Sequence, residues 1–304
     1  MQASLGPYII GILSALAATA LFGVTNVIYR KIDNEISVLD IAITRIWISL
    51  PLSFLFTVTA VGSVSFTVPA ESMFPLAISM IIGIMIGDTM YFLSQERIGV
   101  ARAFPITMSY PFVVYLMAAI FLEEPVLLQR IIGTVAVVLG VMVIARAKQS
   151  EESKEIERWN IRDRRIGFAL AFLTILAWAA SDVIFQFGLI SVEAADANFF
   201  RILVASVIFI PVFMVSLRGG RRLPTRRISV IAIVTGLFGM GFSLIAYSYA
   251  VKLVGATVTS ILIASAPMIT APLSAVYLNE DVNKYVAFGT LLTIIGILLV
   301  IIIK

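Results

Sequence analysis

The sequence predicts an all-α membrane protein of ten transmembrane helices, built as two inverted five-helix repeats. Three observations carry this expectation. The 304-residue chain is 60% hydrophobic and only 13% charged, with a mean hydropathy of +1.04, whereas a soluble domain carries about a quarter charged residues. Its apolar residues gather into runs of about 20, the length a spanning helix needs. Displaced by 156 residues without a gap, the chain also meets itself. Gly11 falls on Gly167, Asp40 on Asp196, Arg45 on Arg201, Tyr91 on Tyr247, Gly99 on Gly255, Pro111 on Pro267 and Glu124 on Glu280. Apolar composition alone does not align glycines, prolines and charges, so the register marks a duplication.

Taken in order, the runs of the first repeat lie near 7–29, 38–61, 73–95, 103–122 and 126–146. Those of the second lie near 166–190, 195–217, 228–251, 256–278 and 284–303. The first run lacks a basic leader and is long enough to span, so it is expected to be a retained helix. Five is odd, so the second copy enters the membrane from the opposite side, a common plan of secondary transporters. The expected organisation is a first repeat over 1–146, a polar linker over 147–165 and a second repeat over 166–304. The linker carries charges of both signs, and its Ile156, Trp159 and Ile161 would let it lie on a membrane surface. Of the 22 Lys and Arg residues, 17 fall on the linker side, three on the other side, and Arg45 and Arg201 inside helices. The positive-inside rule then places the linker side in the cytoplasm of a multi-pass cell-membrane protein.

The chain has no His and no Cys. This removes histidine-ligated metals, His-dependent catalytic triads, thiol nucleophiles and disulfides, so no metal, cofactor or catalytic residue is expected. An intramembrane aspartyl protease would need a GxGD motif, but Asp88 follows Met85-Ile86-Gly87 and Asp182 follows Ala179-Ala180-Ser181. The expected partners are the lipid bilayer, a small-molecule substrate and, for coupling, protons or a counter-substrate. Nucleic acid is not expected, because the basic residues sit between apolar runs where they set orientation. The oligomeric state is left open between monomer and homodimer.

Four constellations stand out. The first is intramembrane acid: Asp88 shares a helical face with Tyr91 and Gln95, and Asp182 with Trp178 and Gln186. A carboxylate at bilayer depth costs about 3 kcal/mol, so these stripes read as cavity-lining or coupling residues, with a plain polar contact between helices as the alternative. The duplication is broken here, since Asp182 corresponds to Asn26 and Asp88 to Leu244. The second is the pair Pro111 and Pro267 near the middle of their spans, read as hinges because proline removes a helical hydrogen bond and frees a carbonyl. Hydroxyls at Thr107, Ser109, Tyr110, Ser260, Ser265 and Thr270 surround them. The third is the repeated Asp40 with Arg45 and Asp196 with Arg201, read as structural or gating ion pairs, with direct binding of an anionic substrate group as the alternative. Glu124 and Glu280 are read as gate or loop contacts. The fourth is small residues: Gly83, Gly87 and Tyr91, matched by Gly239, Ser243 and Tyr247, and Gly133 with Gly140, matched by Gly289 with Gly296. These permit close backbone approach, while Tyr91, Ser243 and Tyr247 would edge a cavity.

As a set, these motifs resemble the EamA family of the drug/metabolite transporter superfamily. The resemblance runs over roughly 11–146 and 167–302. It is carried by ALFGVTNVIYRK and LAWAASDVIFQ at the openings of the repeats, by Arg45 and Arg201, and by the segment YAVKLVGATVTSILIASAPMITAPLSAVYLNED with its first-repeat counterpart. It implies ten helices, alternating access around a cavity near helices 1, 3, 4, 6, 8 and 9, and export of small amino-acid-like or drug-like metabolites. The alternatives are exchange of phosphorylated or nucleotide-linked metabolites and, more distantly, a membrane-embedded enzyme, a channel or a scaffold. Related small multidrug resistance proteins couple protons through a glutamate in helix 1; Phe22 and Trp178 occupy the positions aligned with it. Coupling would therefore fall to Asp88 or Asp182. Several characterised members have cytoplasmic termini, against the charge count.

Overall fold

The computed structural model describes residues 5–30, 38–61, 67–152, 161–218, 225–278 and 284–302, and every regular element among them is helical. The first repeat comprises α1 (Leu5–Arg30), α2 (Val38–Val61), α3 (Ala70–Met80), α4 (Asp88–Ile98), α5 (Val100–Thr107), α6 (Tyr110–Phe121) and α7 (Leu128–Glu152). The second comprises α8 (Ile161–Gly188), α9 (Ala194–Arg218), α10 (Arg226–Gly236), α11 (Ser243–Ala264), α12 (Pro267–Leu278) and α13 (Lys284–Ile301). Nine stretches among the described residues are long and apolar enough to cross a membrane. The sequence predicts ten. The difference lies in one 45-residue stretch, Arg226–Thr270, which takes in the predicted span 228–251 and most of the span 256–278. It is interrupted at Gly255, whose φ of 83° and ψ of 167° are not helical.

Part of the polar segment expected over 147–165 is helical. Helix α7 runs on to Glu152 and α8 already begins at Ile161. Alanine, lysine, glutamine and glutamate at the end of α7 are good helix formers, so the helix outlasts the apolar run. Residues 153–160, with Ile156 and Trp159, lie outside the described residues.

The third predicted span is continuous but irregular. Between α3 and α4 the chain makes a π-helical segment, Ile81–Gly87, and between α10 and α11 another, Leu237–Phe242. They stand at corresponding places in the two repeats. Each carries the glycines that let a neighbouring helix come close. A Cβ on Gly83 would collide with the Ser181 side chain, and one on Gly239 with Thr25. Thr25 and Ser181 are themselves counterparts under the 156-residue shift, so the repeat symmetry is visible in a single contact.

Two compact units form, and neither coincides with a sequence repeat: one contains residues 1–80 and 187–253, the other 81–186 and 254–304. In the first unit α2 and α9, counterparts in the two repeats, run antiparallel. The Trp47 indole N–H donates to the Ser206 carbonyl at 3.2 Å, Asn198 to the Ser53 hydroxyl at 3.0 Å, and the Thr57 hydroxyl to the Ala195 carbonyl at 3.1 Å. In the second unit α7 and α13 run antiparallel in the same way. Gly133 faces Gly296 and Gly140 faces Gly289, with an added Cβ falling 2.8 and 2.6 Å from the opposing carbonyl oxygens. Only glycine permits that approach.

Candidate functional site

Asp88, Tyr91, Tyr110, Trp178 and Asp182, all singled out from the sequence, lie in the second unit. Helix α4 starts at Asp88, where the π segment ends, and its sides have three characters. Gly83, Gly87, Ser94 and Ile98 are buried, Ile86, Thr89, Leu93 and Glu96 are exposed, and Asp88, Tyr91 and Gln95 form a half-buried stripe between them. These are the three residues that helical spacing puts on one face. Across it, the Trp178 indole N–H of α8 donates to Asp88 Oδ1 at 3.0 Å. Gly87 makes room for this contact, because a Cβ there would lie 2.7 Å from Trp178 Cδ1.

Trp178 is also the centre of an aromatic group. Its ring lies 5.1 Å from Tyr91, tilted by 52°, and 5.6 Å from Tyr110 in an edge-on arrangement. Tyr110 is buried, its hydroxyl donates to the Ser260 carbonyl at 3.4 Å, and it lies within electrostatic reach of Asp182. Asp182 is itself 8% exposed, one helical turn beyond Trp178. Asp88, Tyr91, Trp178 and Tyr110, from α4, α6 and α8, thus form one connected group, with the Asp182 carboxylate within electrostatic reach of Tyr110. The sequence placed Trp178 on the stripe of Asp182; it did not reveal that its N–H reaches Asp88. Tyr110 was singled out only as a hydroxyl beside Pro111.

Gln186, on the same side of α8 as Asp182, has a different setting. Its Nε2 donates to Glu124 Oε1 at 3.2 Å and its Oε1 accepts the backbone N–H of Ala256. It ties the α6–α7 connection to the chain immediately after the Gly255 break. Glu124, expected as a gate or loop contact, is here the partner of Gln186.

The prolines mark breaks rather than kinks. Pro111 is the second residue of α6 and Pro267 opens α12, positions where a missing N–H costs nothing. Each predicted span is divided by a two-residue turn, at 108–109 and 265–266. The Ser109 backbone N–H donates to the Ile106 carbonyl and that of Ser265 to the Leu262 carbonyl, both at 3.1 Å. The same two serine hydroxyls reinforce the turns at 2.6 and 2.5 Å. The two prolines expected as hinges thus stand at helix starts, beside turns with matching hydrogen bonds.

The remaining predicted residues belong to the first unit. Arg45, Asp196 and Arg201 are buried, at 7%, 2% and 3% exposure. Arg45 Nη2 lies 3.5 Å from Met240 Sδ, and the Asp196 carboxylate accepts the Thr67 backbone N–H. Ser243 is buried and donates to the Ala18 carbonyl at 3.1 Å, while Tyr247 is half-buried on the same helix. The side chains of Asn26 and Asp40 lie outside the described residues, as does Glu280. Sequence reasoning treated Lys252 only as a loop charge. Its Nζ donates to the carbonyls of Leu189, Ile190 and Val192 at 2.6, 3.3 and 2.9 Å, closing the turn after α8.

A duplicated, all-helical chain with apolar spans and an acid–aromatic group inside them has the organisation of a polytopic membrane transporter. The chain belongs to the EamA-like transporter family, whose profile matches residues 9–146 and again 165–302. The fold is similar to that of a solved structure described as "Crystal structure of protein", with a TM-score of 0.75 over 98% of each chain at 14% identity. That likeness bears on fold alone. No curated protein matches the chain in sequence.

Proposed function

We propose that this protein is a secondary active transporter that exports small metabolites by alternating access. The observation that carries the reading is the half-buried stripe of Asp88, Tyr91 and Gln95 at bilayer depth, joined through Trp178 to the group ending at Asp182. An ionised side chain facing hydrocarbon is costly, so an acid on a partly open face points to a water-accessible cavity. Counting Arg226–Thr270 as two crossings gives ten spans, and the antiparallel pairing of α2 with α9 and of α7 with α13 supports inverted repeats. The proposed moving parts are the paired irregularities: the π segments, Gly99 with Gly255, and the turns before Pro111 and Pro267. Arg45 and Arg201, with Asp40 and Asp196, are proposed as structural or gating groups. If instead they receive a phosphorylated substrate, the protein exchanges anions.

Solute counterflow in proteoliposomes tests carriage. Preloaded unlabelled substrate should accelerate saturable uptake of labelled substrate. A flux that rises linearly with concentration and ignores the preload would identify a channel, and no flux across a metabolite panel would leave a scaffold.

A further inference from the structure

Resting on the carrier reading above, we propose that the group formed by Asp88, Tyr91, Trp178, Tyr110 and Asp182 receives the protonated amine of an organic substrate with a compact apolar body. The sign of charge points there first. Within the spans Ala70–Ile98 and Arg162–Gly188, the charged residues more than five positions from either end are Asp88 and Asp182. The basic residues of this unit whose side chains are described, from Arg97 to Lys284, stand within five residues of a span end. The charge placed away from the span ends is therefore negative, which favours a cation.

The rings supply the second part. A cation is attracted to an aromatic face within about 6 Å of its centroid, most strongly to that of tryptophan. Neither tyrosine stacks flat on Trp178, since the rings meet at 52° and 73°. The N–H of Trp178 is engaged by Asp88, which sets a carboxylate at the edge of the same ring whose face would meet the cation. Asp88, Tyr91 and Trp178 are half-buried, and Tyr110 and Asp182 lie deeper. This gives an accessible front and a charged back.

A buried hydroxyl separates a protonated amine from a quaternary ammonium. Thr257, 1% exposed, has a hydroxyl with no hydrogen-bond partner. It stands one turn before Ser260, whose carbonyl accepts from the Tyr110 hydroxyl. A buried polar atom left unpaired is costly, and an ammonium N–H would satisfy it. Finally, the arrangement occurs once. The duplication replaces Asp88, Trp178, Tyr110 and Asp182 by Leu244, Phe22, Ala266 and Asn26, so the second copy supplies neither the charge nor the indole.

The test compares small phenyl-bearing ligands that differ in charge or in N–H donors on the purified full chain: phenethylamine, phenethyl alcohol, phenylacetate and benzyltrimethylammonium. Binding is read by calorimetry and exchange by counterflow. Phenethylamine should bind the wild type best. Asp88→Asn and Asp182→Asn should each weaken it about tenfold or more while leaving the alcohol unchanged. Thr257→Val should weaken phenethylamine and spare benzyltrimethylammonium, whose retained binding also shows that the variant is folded. Equal binding of the alcohol or phenylacetate, no binding of the amine, or an amine affinity unchanged in both Asp variants would overturn the assignment. Charge-selective binding without counterflow would instead sink the carrier reading and leave the amine site standing.

Discussion

At the residue scale, the most informative side chain is Trp178: its N–H meets Asp88, and its ring meets Tyr110, which lies within electrostatic reach of Asp182, the other acid that breaks the duplication. Both acids were legible from the sequence, since a carboxylate in an apolar span is conspicuous by its cost. The connection between them was not, because helical spacing assigns a side chain to a face and leaves open which neighbour it reaches. Gly87 is the residue that permits it. Gly87→Ala should push the indole out of its place, with a Cβ 2.7 Å from Trp178 Cδ1. We expect a stability loss of about 1 to 3 kcal/mol, typical of overpacking, together with reduced substrate affinity. Thermal unfolding in detergent and substrate binding measured on the same preparation check this; an unaltered affinity would show that Trp178 does not position the site.

At the scale of the element, span lengths and the repeat were readable, while departures from the regular helix were not. Periodicity assumes 3.6 residues per turn, so it passes over the π segments, although Gly83 and Gly239 announced the close contacts they make. Pro111 and Pro267 announced an interruption, but its form depends on the Ser109 and Ser265 hydrogen bonds, which composition does not reveal. Gly99 and Gly255 appeared in the sequence only as a matched pair. In the structure their φ angles are 79° and 83°, with ψ of 154° and 167°, a region essentially reserved for glycine. Each lets one helix follow another with almost no loop. Gly99→Ala and Gly255→Ala should therefore each cost about 1 to 3 kcal/mol in strain, readable as a lower unfolding temperature. Alanine tolerated at both positions would mean that these junctions adopt another backbone conformation.

At the scale of the whole molecule, the duplicated sequence does not map onto two separate structural halves. Each compact unit draws helices from both repeats, because counterpart helices pack on each other, as α2 does on α9 and α7 on α13. A linear reading sees the copies but not their interleaving, which depends on contacts distant in sequence. Orientation is a separate whole-molecule property, and the excess of Lys and Arg on the linker side predicts that this side is cytoplasmic. The absence of native cysteine makes the test direct. In an Arg164→Cys variant, the single thiol should resist an impermeant maleimide applied outside intact cells and react once the cells are opened. Labelling from outside would reverse the topology.

We propose that a pair of acids present in only one register of the duplication gives this transporter-family protein its coupling and binding chemistry. The most direct measurement is concentrative transport in proteoliposomes across an imposed pH gradient, comparing the wild type with Asp88→Asn and Asp182→Asn at equal insertion. Both substitutions should abolish or sharply reduce accumulation. Accumulation at the wild-type rate and extent in both variants would contradict the account.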